Sequence, residues 1–289
     1  MTSRAHYLRG LVRAVGARTA LNIVGRRKFG VRRPVRVRVA GHSLVLRPWD
    51  SDAFVAAQIF GFREYDVGRL RQNCLNELAT AWREQGGTPL IIDAGANVGY
   101  SSVFLAESYP AATVLAVEPD DRAFSLLEEN CAGCDRIIPI HAALWSHDQG
   151  VSLHNVEAAS WARSITDHGM TPSCTLATLL NEVHGAKPLI LKLDVEGAER
   201  EICGAALDVI RSFPCILIEP HDYLLPGTGS LAPLFSAIAG KDMDVLVERE
   251  NIMLFDNAYM DLPASKCGQP DMAGCEDGGS QAEYSGSRV

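Results

Sequence analysis

From residue 89 onward the chain alternates short apolar runs with amphipathic stretches, and four of the runs end in an acid. Leu90-Ile91-Ile92 ends at Asp93, Thr113–Val117 at Glu118, Pro188–Leu193 at Asp194 and Cys215–Ile218 at Glu219. Helical spacing fills about 99–107, 121–130, 175–183, 197–210 and 229–240. Arg136–Ile140, Asp244–Val247 and Ile252–Phe255 read as further strands, and the polar stretch 144–168 leaves room for a hairpin. Strands alternating with helices demand parallel pairing through right-handed crossovers, hence an α/β, doubly wound, mostly parallel sheet. The last two runs, separated by Glu-Arg-Glu-Asn, suit an antiparallel hairpin at the sheet edge. Ahead of this, residues 35–46 read as a hairpin around Gly41, followed by helices near 52–60 and 69–84. The chain thus divides into a basic arm (1–34), a hairpin-and-helix extension placed to cover substrate (35–88) and a main domain (89–260). A Gly/Ser/Asp/Glu-rich tail (261–289) is expected to be disordered.

Charge separates these regions. The first 38 residues carry 11 Arg or Lys and no acid, whereas the rest carries 16 basic and 35 acidic residues. Leu8, Leu11, Val12 and Val15 fall at helical spacing within the arm, so it either packs on the body or makes weak membrane-surface contact through residues 1–38. No run approaches the roughly 18 apolar residues that span a bilayer, and no continuous apolar leader opens the chain, so a cytoplasmic protein is expected. Eight scattered cysteines read as free thiols, and the lone Cys131-Ala-Gly-Cys134 lacks the second pair a zinc site needs. No metal site is expected from the sequence.

In open parallel sheets ligands bind beyond the carboxyl ends of the strands, where these acids gather. The loop Asp93-Ala-Gly-Ala-Asn-Val-Gly99 lets the backbone turn sharply at Gly95 and Gly99 and approach a ligand, with a helix N-terminus behind it. A nicotinamide dinucleotide would call for Gly-x-Gly-x-x-Gly; here the spacing is Gly-x-x-x-Gly with an acid ahead of it. That acid suits a cationic ammonium, and Glu118, 19 residues past Gly99, is placed to take ribose hydroxyls. An amino acid joined to ribose and adenine describes S-adenosylmethionine. Ala142 and Ala143 follow the third strand, where adenine would lie, and Trp145 and Trp161 are available for stacking.

These stretches, with Val117-Glu118-Pro119, Lys192-Leu-Asp194-Val-Glu196-Gly197-Ala-Glu199 and Ile218-Glu-Pro-His221, resemble the motifs of FkbM-type methyltransferases in their usual order, over roughly residues 60–257. The resemblance implies a Rossmann-like class I methyltransferase fold and O-methylation of a hydroxyl on a sugar, glycolipid, polyketide or related natural product. Carried over position by position, it implies a cofactor site of Asp93, Gly95, Asn97, Gly99 and Glu118; Tyr100, Ser101, Pro119, Ala142, Ala143 and Asp194 are expected to add contacts beside them. The segment 155–165 matches only loosely, and the arm and tail lie outside the match.

Methyl transfer from a sulfonium is an in-line displacement governed by proximity and orientation, assisted by a base at the hydroxyl. His221 is the candidate base, because imidazole titrates near neutrality, with Asp194 and Glu196 to orient it, bind substrate or hold a divalent ion. Lys192, two residues before Asp194 and on the same strand face, reads as its ion-pair partner. The rivals are a nicotinamide-dependent oxidoreductase and a non-catalytic cofactor-binding protein. Nucleic acid is not an expected partner, since the body is acidic and no Asn/Asp-Pro-Pro-Tyr pocket is present; a small hydroxylated acceptor is.

Overall fold

The computed structural model describes residues 4–154, 164–222 and 226–260. Trp161 and the tail 261–289 lie outside the described residues. The chain opens with two helices, α1 (Arg4–Val15) and α2 (Ala17–Lys28), then the hairpin β1 (Val35–Val39) and β2 (His42–Leu46). Helix α3 (Asp52–Ala56) runs into a π turn over Ala57–Gly61, and α4 (Arg69–Glu84) leads into the main domain. There β3 (Thr88–Ala94), α5 (Tyr100–Ser108), β4 (Thr113–Val117), α6 (Asp121–Cys131) and β5 (Ile137–Ile140) form one half. Short strands follow: β6 (Ala143–Leu144), β7 (Val151–His154), β8 (Ser164–Asp167) and β9 (Ser173–Cys174). The second half contains α7 (Leu176–Asn181), β10 (Ala186–Leu193), α8 (Glu199–Ala205), α9 (Leu207–Ile210), β11 (Cys215–Ile218), α10 (Ala232–Ile238), β12 (Met243–Glu248) and β13 (Asn251–Asp256).

The sheet order is β12-β13-β11-β10-β3-β4-β5, with β13 antiparallel to both its neighbours and the remaining pairs parallel. This is the expected doubly wound α/β sheet. Alternation along the buried strands sends successive side chains to opposite faces. Ile91 and Val114 join a core with α4, α5 and α6, while Leu90, Ile92 and Leu115 join one with α7, α8 and α10.

The C-terminal antiparallel hairpin lies at the sheet edge as expected, with β12 outermost and β13 between β12 and β11. Met253, Leu254 and Phe255 of β13 are buried, whereas Val245 and Val247 of β12 stay exposed, so the more apolar strand takes the interior place. The single helix expected over 197–210 is two, broken where Ala206 leaves helical geometry (φ −129°, ψ 31°). The basic arm is a helix pair whose first member packs against the π turn. A Cβ on Gly61 would meet the Gly10 carbonyl oxygen at 2.1 Å, so the two backbones touch there. Among the described residues, no helix is long and apolar enough to cross a membrane.

Candidate active site

Strand order reverses between β3 and β10, and the loops leaving both strands meet at that switch point. The meeting is close. Gly95 adopts φ +74°, and a Cβ there would lie 1.8 Å from the carbonyl oxygen of Asp194, so only glycine fits. The amides of Gly95 and Ala96 both donate to the Val117 carbonyl at 3.0 Å, tying the glycine loop to the end of β4. Glu118 completes the tie: its carboxylate accepts from the Asn97 amide and from the Asp120 amide, each at 2.9 Å. Asp120 in turn caps α6, accepting from the Ala123 amide at 2.9 Å.

A cleft of about 720 Å³ opens over this framework. Gly95, Asn97, Glu118, Pro119, Ala143, Asp194 and Glu196, all singled out by sequence, line it together, joined by Leu144 and Leu153. A second cavity of about 930 Å³ shares Gly95, Asn97, Asp194 and Glu196 and extends under the N-terminal segment, where Phe54, Gln58 and Tyr65 line it. Ser101 faces this second cavity.

Other expected cofactor contacts sit elsewhere. Asp93 is fully buried and lines neither cavity. Its carboxylate accepts from the hydroxyls of Ser101 (2.7 Å) and Ser102 (2.6 Å) and pairs with the Lys192 ammonium at 3.0 Å. It therefore holds the loop from behind rather than offering an oxygen to a ligand's ammonium. Tyr100 turns the opposite way, donating its hydroxyl to the Val45 carbonyl at 2.8 Å. Gly99, at φ +85°, starts α5 against Cys131, and Ala142 is buried beside the cleft without lining it.

Lys192 is the hub of the loop's underside. Its ammonium lies 3.6 Å from Asp194, donates to the Gly95 carbonyl at 2.9 Å and faces the Tyr65 ring. Burial opposes its charge, but Asp93, Tyr65 and Asp194 prevail and hold its pKa well above the usual lysine value.

His221 is buried and lines neither cavity. Its Nδ1 shares a 2.6 Å hydrogen bond with Glu199, a fully buried residue absent from the sequence-based assignment. Its Nε2 faces Glu196 at 3.6 Å and Asp194 and Glu219 at 3.9 Å each. Burial disfavours the charged ring, yet the Glu199 bond and the charges of Glu199, Asp194 and Glu196 raise its pKa to about 9. A buried ring that lines neither cavity and is tied to Glu199 does not reach an incoming hydroxyl as its base, which corrects that expectation. Glu219 rises to about 8 through burial and the nearby Asp194 charge, with His221 pulling the other way. Glu64, over the second cavity, rises to about 7, chiefly through burial, although Arg249 opposes the shift. Asp194, Glu219 and His221 bring potential ligand atoms within 4.8 Å of one another and could hold a metal ion.

Parts of the chain are similar in sequence to known methyltransferases. The family described as Methyltransferase FkbM domain matches residues 93–239, about half of the chain. Methyltransferase sdnD of Sordaria araneosa is 32% identical over 89 residues, covering 31% of this chain and 29% of its own. Hexuronic acid methyltransferase AglP of Haloferax volcanii is 27% identical over 136 residues, covering 45% of this chain and 54% of its own. The matched stretch thus spans from under a third to about half of these relatives' lengths. Among solved structures, a putative caffeoyl-CoA O-methyltransferase from Staphylococcus aureus aligns over 68% of this chain and 88% of its own, with 11% identity and a TM-score of 0.38. The family match begins at Asp93 and takes in the glycine loop, Glu118, the Lys192–Glu199 stretch and His221; the chain belongs to the FkbM methyltransferase family.

Proposed function

We propose that this S-adenosylmethionine-dependent methyltransferase places its methyl group on a hydroxyl of a small polyhydroxylated acceptor such as a sugar, glycolipid or polyketide. The observation that carries the reading is the pair of cavities sharing one wall at Gly95, Asn97, Asp194 and Glu196. One cavity has a ribose-type acid, Glu118, and apolar Ala143, Leu144 and Leu153 for an adenine; the other is separate space for an acceptor. A sulfonium methyl held at the shared wall would point from the first into the second, the alignment an in-line displacement requires. Bond formation from acceptor oxygen to methyl carbon then accompanies cleavage of the carbon–sulfur bond, whose electron pair stays on sulfur. The hydroxyl proton passes to a carboxylate at the shared wall, Asp194 or Glu196, since His221 is sealed behind them. In this reading the N-terminal segment 35–88 supplies specificity through Phe54, Gln58, Glu64 and Tyr65.

Calorimetric titration with S-adenosylmethionine, S-adenosylhomocysteine and NAD, followed by transfer of a labelled methyl group to a panel of hydroxylated acceptors, tests the proposal. Heat with the two sulfur ligands and none with NAD is expected, together with label in an ether-linked product. Label recovered on nitrogen or carbon would overturn the O-methylation reading.

A further inference from the structure

We propose that Asp194, Glu219 and His221 form a binding site for one divalent cation, of the Mn²⁺ or Mg²⁺ kind, at the floor of the second cavity. The donors come from the ends of adjacent strands: Asp194 follows β10, and Glu219 and His221 follow β11. His221 Nε2 stands 3.9 Å from both Asp194 Oδ1 and Glu219 Oε1. That is too long for an N–H···O hydrogen bond, which centres on about 2.9 Å. It suits two ligands of one ion, since donors each about 2.1 Å from a metal lie roughly 3.0 Å apart at a right angle and about 4.2 Å apart when opposed.

A second observation points the same way. A ligating histidine generally gives its other ring nitrogen to a carboxylate, which fixes the ring and makes it a better donor. Here Nδ1 is held by Glu199 at 2.6 Å, and Glu199 itself accepts from the Gly197 amide at 3.2 Å. Glu199 is wholly buried, and its other oxygen has no hydrogen-bond partner among the described residues. An ion at Nε2 would take the place of a ring proton, with the Glu199 carboxylate held behind the ring. Lys192, the nearby cation, pairs with Asp93 at 3.0 Å and reaches Asp194 only at 3.6 Å.

The site is open on one side. Asp194 and Glu219 line the second cavity, whereas His221 and Glu199 are buried and do not line it. Metal sites that act on substrates keep such an open position. Two carboxylates with one imidazole match Mn²⁺ or Mg²⁺ better than a thiolate-seeking ion. An ion here would receive an acceptor hydroxyl, or a vicinal pair, within reach of the methyl at the shared wall. It would also offset the negative wall that Glu64, Glu196 and Glu250 present to the acceptor. That role in orienting the acceptor rests on the methyl-transfer reading above; binding of the ion does not.

The test uses the full chain, stripped by chelator and titrated with MnCl₂ while the electron paramagnetic resonance of free Mn²⁺ is followed, with S-adenosylmethionine titrated calorimetrically into the same preparation. One bound equivalent is expected, displaced by excess Mg²⁺. Binding should weaken at least tenfold in Glu219→Gln and in His221→Gln, and should be unchanged in Glu64→Gln, which faces the cavity without contributing a donor. Thermal melts identify a variant that fails to fold, and Glu219→Gln alone then decides. No bound Mn²⁺, or equal binding by wild type and Glu219→Gln (an adventitious ion only), overturns the site. Retained Mn²⁺ binding with no response to S-adenosylmethionine overturns the methyl-transfer reading and leaves the metal site standing.

Discussion

Replacing Lys192 by methionine removes a buried cation from beside a buried carboxylate and so tests what holds the glycine loop. Lys192 and Asp93 are 1% and 0% exposed, with charged atoms 3.0 Å apart. At an effective dielectric of about 20 their attraction is on the order of 5 kcal/mol, against which desolvation of both groups must be set. Removing one partner leaves Asp93 with only the Ser101 and Ser102 hydroxyls, and stranding a buried charge in this way costs about 3–5 kcal/mol. Asp93→Asn alone leaves Lys192 with only the longer 3.6 Å contact to Asp194 and should cost somewhat less. The double variant, which strands no charge, should recover about 2–3 kcal/mol relative to the sum of the singles. Urea unfolding of all four proteins gives the coupling energy directly. The ammonium also donates to the Gly95 carbonyl, so Lys192→Met should weaken S-adenosylmethionine binding about tenfold, or about 1.4 kcal/mol. Strictly additive single effects, with coupling below about 0.5 kcal/mol, would refute the idea that this pair supports the loop.

The neighbouring contacts give further expectations. Gly95→Ala places a Cβ against the Asp194 carbonyl and should abolish calorimetric cofactor binding, whereas Gly204→Ala, with open space at an α8 position, should leave binding intact and stabilise by about 0.4–1 kcal/mol in unfolding experiments. Gly61→Ala, which clashes with the Gly10 carbonyl, should loosen α1 and show faster proteolytic cleavage near residue 16 without unfolding the main domain. Glu64 imposes a pH dependence. Its folded pKa of about 7 lies above the ordinary 4.5, so the unfolded chain gives up this proton first. The group's contribution to stability is therefore greatest below about pH 4.5, declines as pH rises towards 7 and is flat beyond, with a ceiling of about 3 kcal/mol. Urea midpoints at pH 5 and pH 8 should thus converge in Glu64→Gln relative to wild type; identical pH slopes in the two proteins would contradict the assignment.

Which features could be read in the sequence follows from the range over which their causes act. Strand ends are local: an apolar run stopping at an acid marks Asp93, Glu118, Asp194 and Glu219; the last three directly follow their strands and Asp93 is the next-to-last residue of its own. Gly95 and Glu118 were legible for the same reason, because a turn and the end of the next strand each carry their own residue chemistry. Helix phase is also local but finer. Tyr100 and Ser101 are neighbours, yet successive helical positions point about 100° apart, so one reaches Val45 and the other Asp93. What sequence could not supply was the partner of each acid. Asp93 looks like a ligand contact until β10, nearly a hundred residues later, lies alongside β3 and delivers Lys192 to it. Glu199 looks like an ordinary first-turn helix acid until β11 brings His221 to it, and that contact ties the ring down behind the cavity wall. In each case pairing between distant strands decides whether a carboxylate faces the cavity or the core. The same pairing leaves Asp194, Glu196 and Glu219 on the wall of the second cavity, so the proposed methyl transfer is to be tested on those three carboxylates rather than on the histidine behind them.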